Sequence, residues 1–163
     1  PYPVVRVMPN TPVAIEQGVS AIIGNSFSSL SQINWTEKLF NNLGKTVILE
    51  KESQIDAVTA ISGSGPAYIF NFAETVIEIG KELGLSEQLS KKIVLQTIVG
   101  AGLLANNSNI TPSKLRENVT SPNGTTQAAL NILMDEKNGW HGIIKNAVFA
   151  AHKRSKSLAK KLN

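Results

Sequence analysis

The chain contains no cysteine. That excludes a disulfide framework, a thiolate metal site and cysteine catalysis. It fits a reducing compartment, and the cytoplasm is the expected location. Histidine is almost as scarce. His141 and His152 stand apart, with no H-E-x-x-H and no metal-spaced pair. Surface roles are expected for both, and no metal site is expected. Walker loops and nucleophile elbows are also missing. No apolar stretch nears the ~20 residues of a membrane span, so no membrane partner is expected. The start, Pro1-Tyr2-Pro3-Val4-Val5-Arg6, has neither the basic nor the apolar region of a secretory leader, and it lacks an initiator Met. The expectation is a piece of a longer protein.

Aromatic residues make up only 6% and charged residues 17%, against 42% apolar. That is a globular composition whose core must be built from Ile, Val, Leu and Ala. A length of 163 residues allows one domain, or a small piece plus one compact domain. The formal charge is +4, and its placement is uneven. No acidic residue follows Glu136, whereas Lys137, Lys145, Lys153, Arg154, Lys156, Lys160 and Lys161 do. Two readings stand. One is a solvated helix face with cations near a helix C-terminus, where the dipole favours them. The other is a nucleic-acid footprint. No aromatic platform or binding motif accompanies the stripe, so nucleic acid is not expected as a partner.

Two patterns divide the chain. Residues 1–50 read as α/β. Val4–Met8, Val19–Ile23 and Thr46–Leu49 are short β-branched runs, and Ser31–Leu43 is a helix stopped by Gly44. Three strands are too few for a whole nucleotide-binding domain. Residues 51–163 read as helical: Gln54–Ile61, Pro66–Leu83, Ser86–Ala105, Thr111–Asn118, Thr125 or Thr126 to Met134, and Gly142–Leu162. Gly84 closes the second of these, and Pro66 is harmless in its first turn.

The two central helices are apolar on more than one face. Ile69, Phe70, Phe72, Ala73, Val76, Ile77 and Ile79 lie on one of them, and Ile93, Val94, Leu95, Ile98, Val99, Leu103 and Leu104 on the other. A surface helix carries a single stripe. Either these helices cross a subunit interface, which the breadth of the apolar surface favours, or each is an internal core helix. Gly100 and Gly102 would each cost about 1 kcal/mol in a helix interior, and close helix approach is the expected return.

Two Gly/Ser/Pro loops are the chemical candidates. Ser62-Gly63-Ser64-Gly65-Pro66-Ala67 is not G-x-G-x-x-G and follows no strand. It reads as a tight, backbone-exposed kink between helices. Val119-Thr120-Ser121-Pro122-Asn123-Gly124-Thr125-Thr126 enters a helix. Free N–H groups at a helix start, a glycine and several hydroxyls make an anion cup whose natural small guest is a carboxylate. A plain N-cap is the competing reading, worth about 0.5–2 kcal/mol.

Together, Arg6-Val7-Met8-Pro9-Asn10-Thr11-Pro12, Asp56–Tyr68 with its Ser-Gly-Ser-Gly-Pro-Ala core, and Leu115 followed by Val119–Thr126 resemble pyrroline-5-carboxylate reductase. The order and spacing match that family over essentially all 163 residues. The resemblance implies a mainly α fold: an all-helical dimerisation and substrate-binding domain, residues 51–163, preceded by the last strands and helix of a Rossmann-type α/β domain, residues 1–50. It implies NADPH or NADH as cofactor, with the main nucleotide motif upstream. It implies reduction of 1-pyrroline-5-carboxylate to L-proline, in a homodimer or a larger ring. This polypeptide is not expected to turn over by itself. The site residues carried over are Asn118, Ser121, Gly124, Thr125 and Thr126 for substrate, with Thr126 catalytic at the ring nitrogen. Asn10, Thr11, Pro12, Glu52 and Asn118 are carried over for the cofactor. For Glu52 a solvated boundary position is an equal reading, and for Asn118 a helix C-cap is the alternative. Asn123 stands where the family usually has the first glycine of a pair. Asn tolerates left-handed backbone angles better than most residues, which would keep the loop's shape. A non-catalytic helical oligomerisation module is the rival from another class.

Overall fold

The protein is described by a computed structural model covering residues 1–160. It forms two compact units: Pro1–Tyr68 with the chain from Asn146 on, and Ile69–Lys145.

In the first unit, β1 (Val5–Pro9), β2 (Gly18–Gly24) and β3 (Gly44–Ile48) form one sheet in that order. β1 runs antiparallel to β2, with Val7 opposite Ile22, and β3 runs parallel to β2, with Ser20 opposite Thr46. Ala21 and Ile22 of the central strand are fully buried. α1 (Leu30–Phe40) makes the parallel crossover and packs on β2. It opens on a capping box: Gln32 N–H donates to Ser29 Oγ at 3.3 Å, and Ser29 N–H donates to Gln32 Oε1 at 2.9 Å. Where β2 and β3 first meet, Gly44 takes φ +133°, and a Cβ there would lie 2.1 Å from the Gly18 oxygen. Only glycine fits that crossing.

The sequence places a strand end and then an unlabelled stretch at Asn10–Gln17. The structure puts a 3-10 helix at Thr11–Ile15, closed by Glu16 at φ 59°. After β3, α2 (Gln54–Val58) runs into a π-helical turn, Thr59–Gly63. The expected kink is therefore made by one widened helical turn, in which Ser64 N–H donates to Thr59 O at 2.8 Å. A Cβ on Gly63 would meet Met8 Cε at 2.8 Å, so the turn lies directly against β1.

α3 (Gly65–Glu82) starts in the first unit and continues into the second, where α4 (Glu87–Asn106), α5 (Pro112–Asn118) and α6 (Thr125–Leu133) follow. α7 (Trp140–Ala159) begins there and returns to the first unit. It starts two residues before the expected Gly142, and its expected end at Leu162 lies outside the described residues. Ser86 caps α4 and Thr111 caps α5, each accepting a backbone N–H with its hydroxyl. Within the second unit, Ala73, Gly80, Ser90 and Val94 are buried where α3 meets α4. Phe72 and Trp140 stack edge to face, centroids 5.4 Å apart. Much of the apolar surface expected on α3 and α4 stays open in the single chain: Phe70 is 66% exposed and Leu104 58%.

Candidate functional site

The helix α6 is built to leave its amides free. Its N-cap is Gly124, which has no side-chain cap. The Gly124 N–H turns back to Ser121 O at 3.1 Å, and the first intrahelical bond runs from Ala128 N–H to Gly124 O. The N–H groups of Thr125, Thr126 and Gln127 therefore have no intrahelical acceptor. The plain N-cap reading is set aside: none of the hydroxyls around this turn caps it.

Asn123 takes φ 60°, so the left-handed angle expected of a Gly replacement is adopted. A Cβ on Gly124 would lie 2.4 Å from Ser121 Oγ, which folds the serine hydroxyl over the helix start. The cup is accessible: Ser121 and Thr125 are exposed, and Thr126 is half-buried. Asn118, at the last turn of α5, is exposed on the approach to this loop. Val119, not Asn118, is the C-cap residue of that helix. The structure thus brings together Ser121, Gly124, Thr125 and Thr126 on one turn, with Asn118 on the helix that feeds it.

The remaining expected residues lie in the first unit. Asn10 has both ends of its amide engaged. Its Oδ1 accepts from Val19 N–H at 2.9 Å, and its Nδ2 donates to Ser62 Oγ at 3.3 Å. Asn10 thereby ties the end of β1 to β2 and to the π turn, and it fixes the backbone on which Thr11 and Pro12 follow. Thr11 is exposed and Pro12 half-buried. The Glu52 carboxylate forms an ion pair with the Arg6 guanidinium, both side chains remaining more than half exposed.

Sequence reasoning passed over Arg116. It reads as one more charge on a short polar helix, and the only signal was its place five residues before Ser121. In the structure it is half-buried, and its carbonyl accepts the Thr120 hydroxyl at 2.6 Å. His152, expected at the surface, is half-buried on α7 and lines a cavity together with Ala57, Ala60, Ile61, Val148 and Phe149. Among the described residues, no helix is long and apolar enough to cross a membrane, and no group of three His, Asp or Glu could hold a metal.

A three-stranded Rossmann fragment leading into helices with broad uncovered apolar faces defines a helical association domain joined to part of a dinucleotide-binding-type domain. Residues 52–158 match the family described as pyrroline-5-carboxylate reductase dimerisation. A pyrroline-5-carboxylate reductase from Pseudomonas aeruginosa is 43% identical over 162 residues, covering 99% of this chain and 59% of that protein. One from Corynebacterium melassecola is 40% identical over 158 residues, covering 97% and 57%. Among solved structures, a pyrroline-5-carboxylate reductase from Coxiella burnetii superposes with a TM-score of 0.90 at 35% identity, covering 96% of this chain and 57% of that one. A Plasmodium falciparum pyrroline carboxylate reductase with NADP bound superposes with a TM-score of 0.85 at 38% identity, covering 95% and 58%. The chain belongs to the pyrroline-5-carboxylate reductase family. It spans 57–59% of the length of these two curated relatives.

Proposed function

We propose that this chain is the substrate-binding and dimerisation part of an NAD(P)H-dependent pyrroline-5-carboxylate reductase of the cytoplasm. It forms homodimers, which can assemble into a larger ring. Residues 1–50 are the closing part of its nucleotide-binding domain and 51–163 its helical domain. The observation that carries this reading is the uncapped start of α6, set on a left-handed Asn123 within a family of that name.

The substrate is a small cyclic imine bearing a carboxylate. The free amides at Thr125 and Thr126, with Ser121 Oγ beside them, receive the carboxylate. Thr126 Oγ1 then accepts a hydrogen bond from the ring N–H. A protonated imine is the better hydride acceptor, and its positive charge is eased by that oxygen. No strong protein acid is required, because the imine is readily protonated in solution near neutral pH. The site acts chiefly by holding distance and orientation. Asn118, exposed at the end of α5, would bridge the substrate loop and the cofactor.

For the cofactor, Asn10, Thr11 and Pro12 would line its nicotinamide end. Asn10 holds the Thr11–Pro12 backbone rigidly beyond β1, and the Thr11 hydroxyl makes no hydrogen bond among the described residues. Glu52 would have to give up Arg6 to reach a ribose hydroxyl. When bound, the reduced nicotinamide supplies the hydride that this chain's residues cannot.

The test is Thr126→Ala in the full-length protein. Turnover is expected to fall by about a hundredfold, as for loss of one donor or acceptor at a developing charge, while the oligomer is unchanged. Wild-type turnover would remove Thr126 from the mechanism. A full-length protein that neither turns over nor binds proline would leave only the scaffold reading.

A further inference from the structure

At the end of β1 the backbone of Asn10 parts from the sheet. Its main-chain N–H still donates to Val19 O at 3.2 Å and continues the ladder with β2. Its main-chain carbonyl leaves the ladder and accepts Val13 N–H at 3.2 Å, which opens the 3-10 helix Thr11–Ile15. An antiparallel pair of this kind exchanges two bonds, and the Asn10 side chain supplies the second: Val19 N–H donates to Asn10 Oδ1 at 2.9 Å. A backbone N–H can only donate, so this bond settles which end of the amide is oxygen, and Nδ2 must face away from it. There Nδ2 donates to Ser62 Oγ at 3.3 Å, across 52 residues of chain.

The turn that carries Ser62 is itself held on several sides. The Ser64 N–H bond to Thr59 O closes it. Thr59 Oγ1 donates to Ile55 O at 2.8 Å, and the Tyr68 hydroxyl donates to Ala60 O at 3.0 Å. Ala60 is buried, and Gly63 lies against Met8. The π turn is therefore the fixed partner and the Asn10 amide the one it orients. Without the Ser62 hydroxyl, a part-buried Asn10 Nδ2 would lose its acceptor, and the Val19 bond alone would orient the amide. All these residues belong to the first unit.

We propose that Ser62 is a positioning residue for the reduced nicotinamide: through the Asn10 amide it sets the Thr11–Pro12 backbone on which that ring rests. This rests on the function proposed above. Ser62 acts through Asn10 and on neither reacting ring directly.

The test uses the full-length protein as wild type, Ser62→Ala, Ser62→Thr, Asn10→Ala and the double Ala variant. Three quantities are measured: NADPH affinity by fluorescence titration, steady-state kinetics with NADPH and 1-pyrroline-5-carboxylate, and hydrogen exchange of the Val13 and Gln17 amides with no ligand present. In Ser62→Ala the NADPH dissociation constant should rise about fivefold, the weight of one neutral hydrogen bond. The KM for 1-pyrroline-5-carboxylate should stay within about twofold. Exchange at Val13 and Gln17 should quicken about fivefold, since both amides bond within the segment that Asn10 starts. Ser62→Thr keeps the hydroxyl and should restore NADPH affinity. Ser62→Ala should add little in the Asn10→Ala background, because its partner is already gone. If Ser62→Ala does not fold, Ser62→Cys keeps the size, weakens the acceptor and carries the same expectations. A lower thermal midpoint with NADPH affinity and exchange unmoved would make Ser62 merely structural and overturn the proposal. Additive effects of the two Ala substitutions would overturn it too. An unsubstituted protein that neither binds NADPH nor turns over overturns the functional reading itself, and this proposal with it.

Discussion

Gly80 on α3 and Ser90 on α4 meet so closely that a Cβ on the glycine would stand 2.6 Å from Ser90 Oγ. The serine is buried, and its hydroxyl has no hydrogen-bond partner. The crossing therefore depends on the absence of one methyl group rather than on a polar bond. Gly80→Ala should destabilise the protein by about 1–3 kcal/mol through overpacking. Ser90→Ala should be neutral or slightly stabilising, because it removes an unsatisfied group. The double variant should recover part of the Gly80→Ala loss. Urea unfolding at one fixed protein concentration checks all three, and a large loss from Ser90→Ala would show that the hydroxyl has a partner after all.

A second prediction concerns the loop before α6. Asn123 sits at φ 60°, a region that a β-branched residue enters only at about 1–2 kcal/mol. Asn123→Gly should keep the loop and the turnover of the full-length protein. Asn123→Val should lower both stability and affinity for substrate. Equal behaviour of the Val and Gly variants would mean that the loop's shape does not depend on this angle.

These two sites differ in how far the sequence disclosed them. Asn123 was legible, since Asn is the residue that replaces glycine at a left-handed position. The strands and helices were legible too, because β-branched runs, Gly84 and Gly44 as stops, and Ser86 and Thr111 as caps are all local signals. The Thr59–Gly63 turn was not, because one i→i+5 bond leaves no periodic trace among small residues. The Arg6–Glu52 pair and the Ser155–Asp56 bond were hidden for another reason. Their partners are 46 and 99 residues apart, and nothing local couples them. Arg116 was passed over because a lone cation on a seven-residue helix looks solvated until α6 is laid beside it.

Ser155 on α7 donates to Asp56 Oδ1 at 2.6 Å, joining α7 to α2 within the first unit. The acceptor is a carboxylate, so the bond belongs to the stronger class. Ser155→Ala should destabilise the protein by about 1–2 kcal/mol, less than a fully buried case because the bond is partly exposed. Ser155→Asp should do worse, since it sets two carboxylates against each other. The order wild type, Ala, Asp in thermal midpoint is the expected outcome, and an Asp variant as stable as Ala would argue that α7 is held by its apolar contacts alone.

The last prediction concerns what covers the helices. Phe70 and Leu103 are 66% and 52% exposed in the single chain, on helices whose apolar residues extend around more than one face. Leaving such surfaces in water forgoes about 25 cal/mol for each Å² that could be buried. Exposed patches of this breadth are characteristic of association surfaces. If a second copy covers them, a carboxylate placed there must either be buried without a partner or keep the copies apart. Phe70→Glu and Leu103→Glu should each shift the full-length protein from oligomer toward monomer by at least tenfold in dissociation constant, measured by sedimentation equilibrium. Helix content by circular dichroism should stay near wild type while the oligomer is still populated. Lys38→Glu, on α1 in the first unit, serves as the charge control and should leave the association unchanged. An oligomer indifferent to both Glu substitutions would mean that these faces are covered by something other than a second copy.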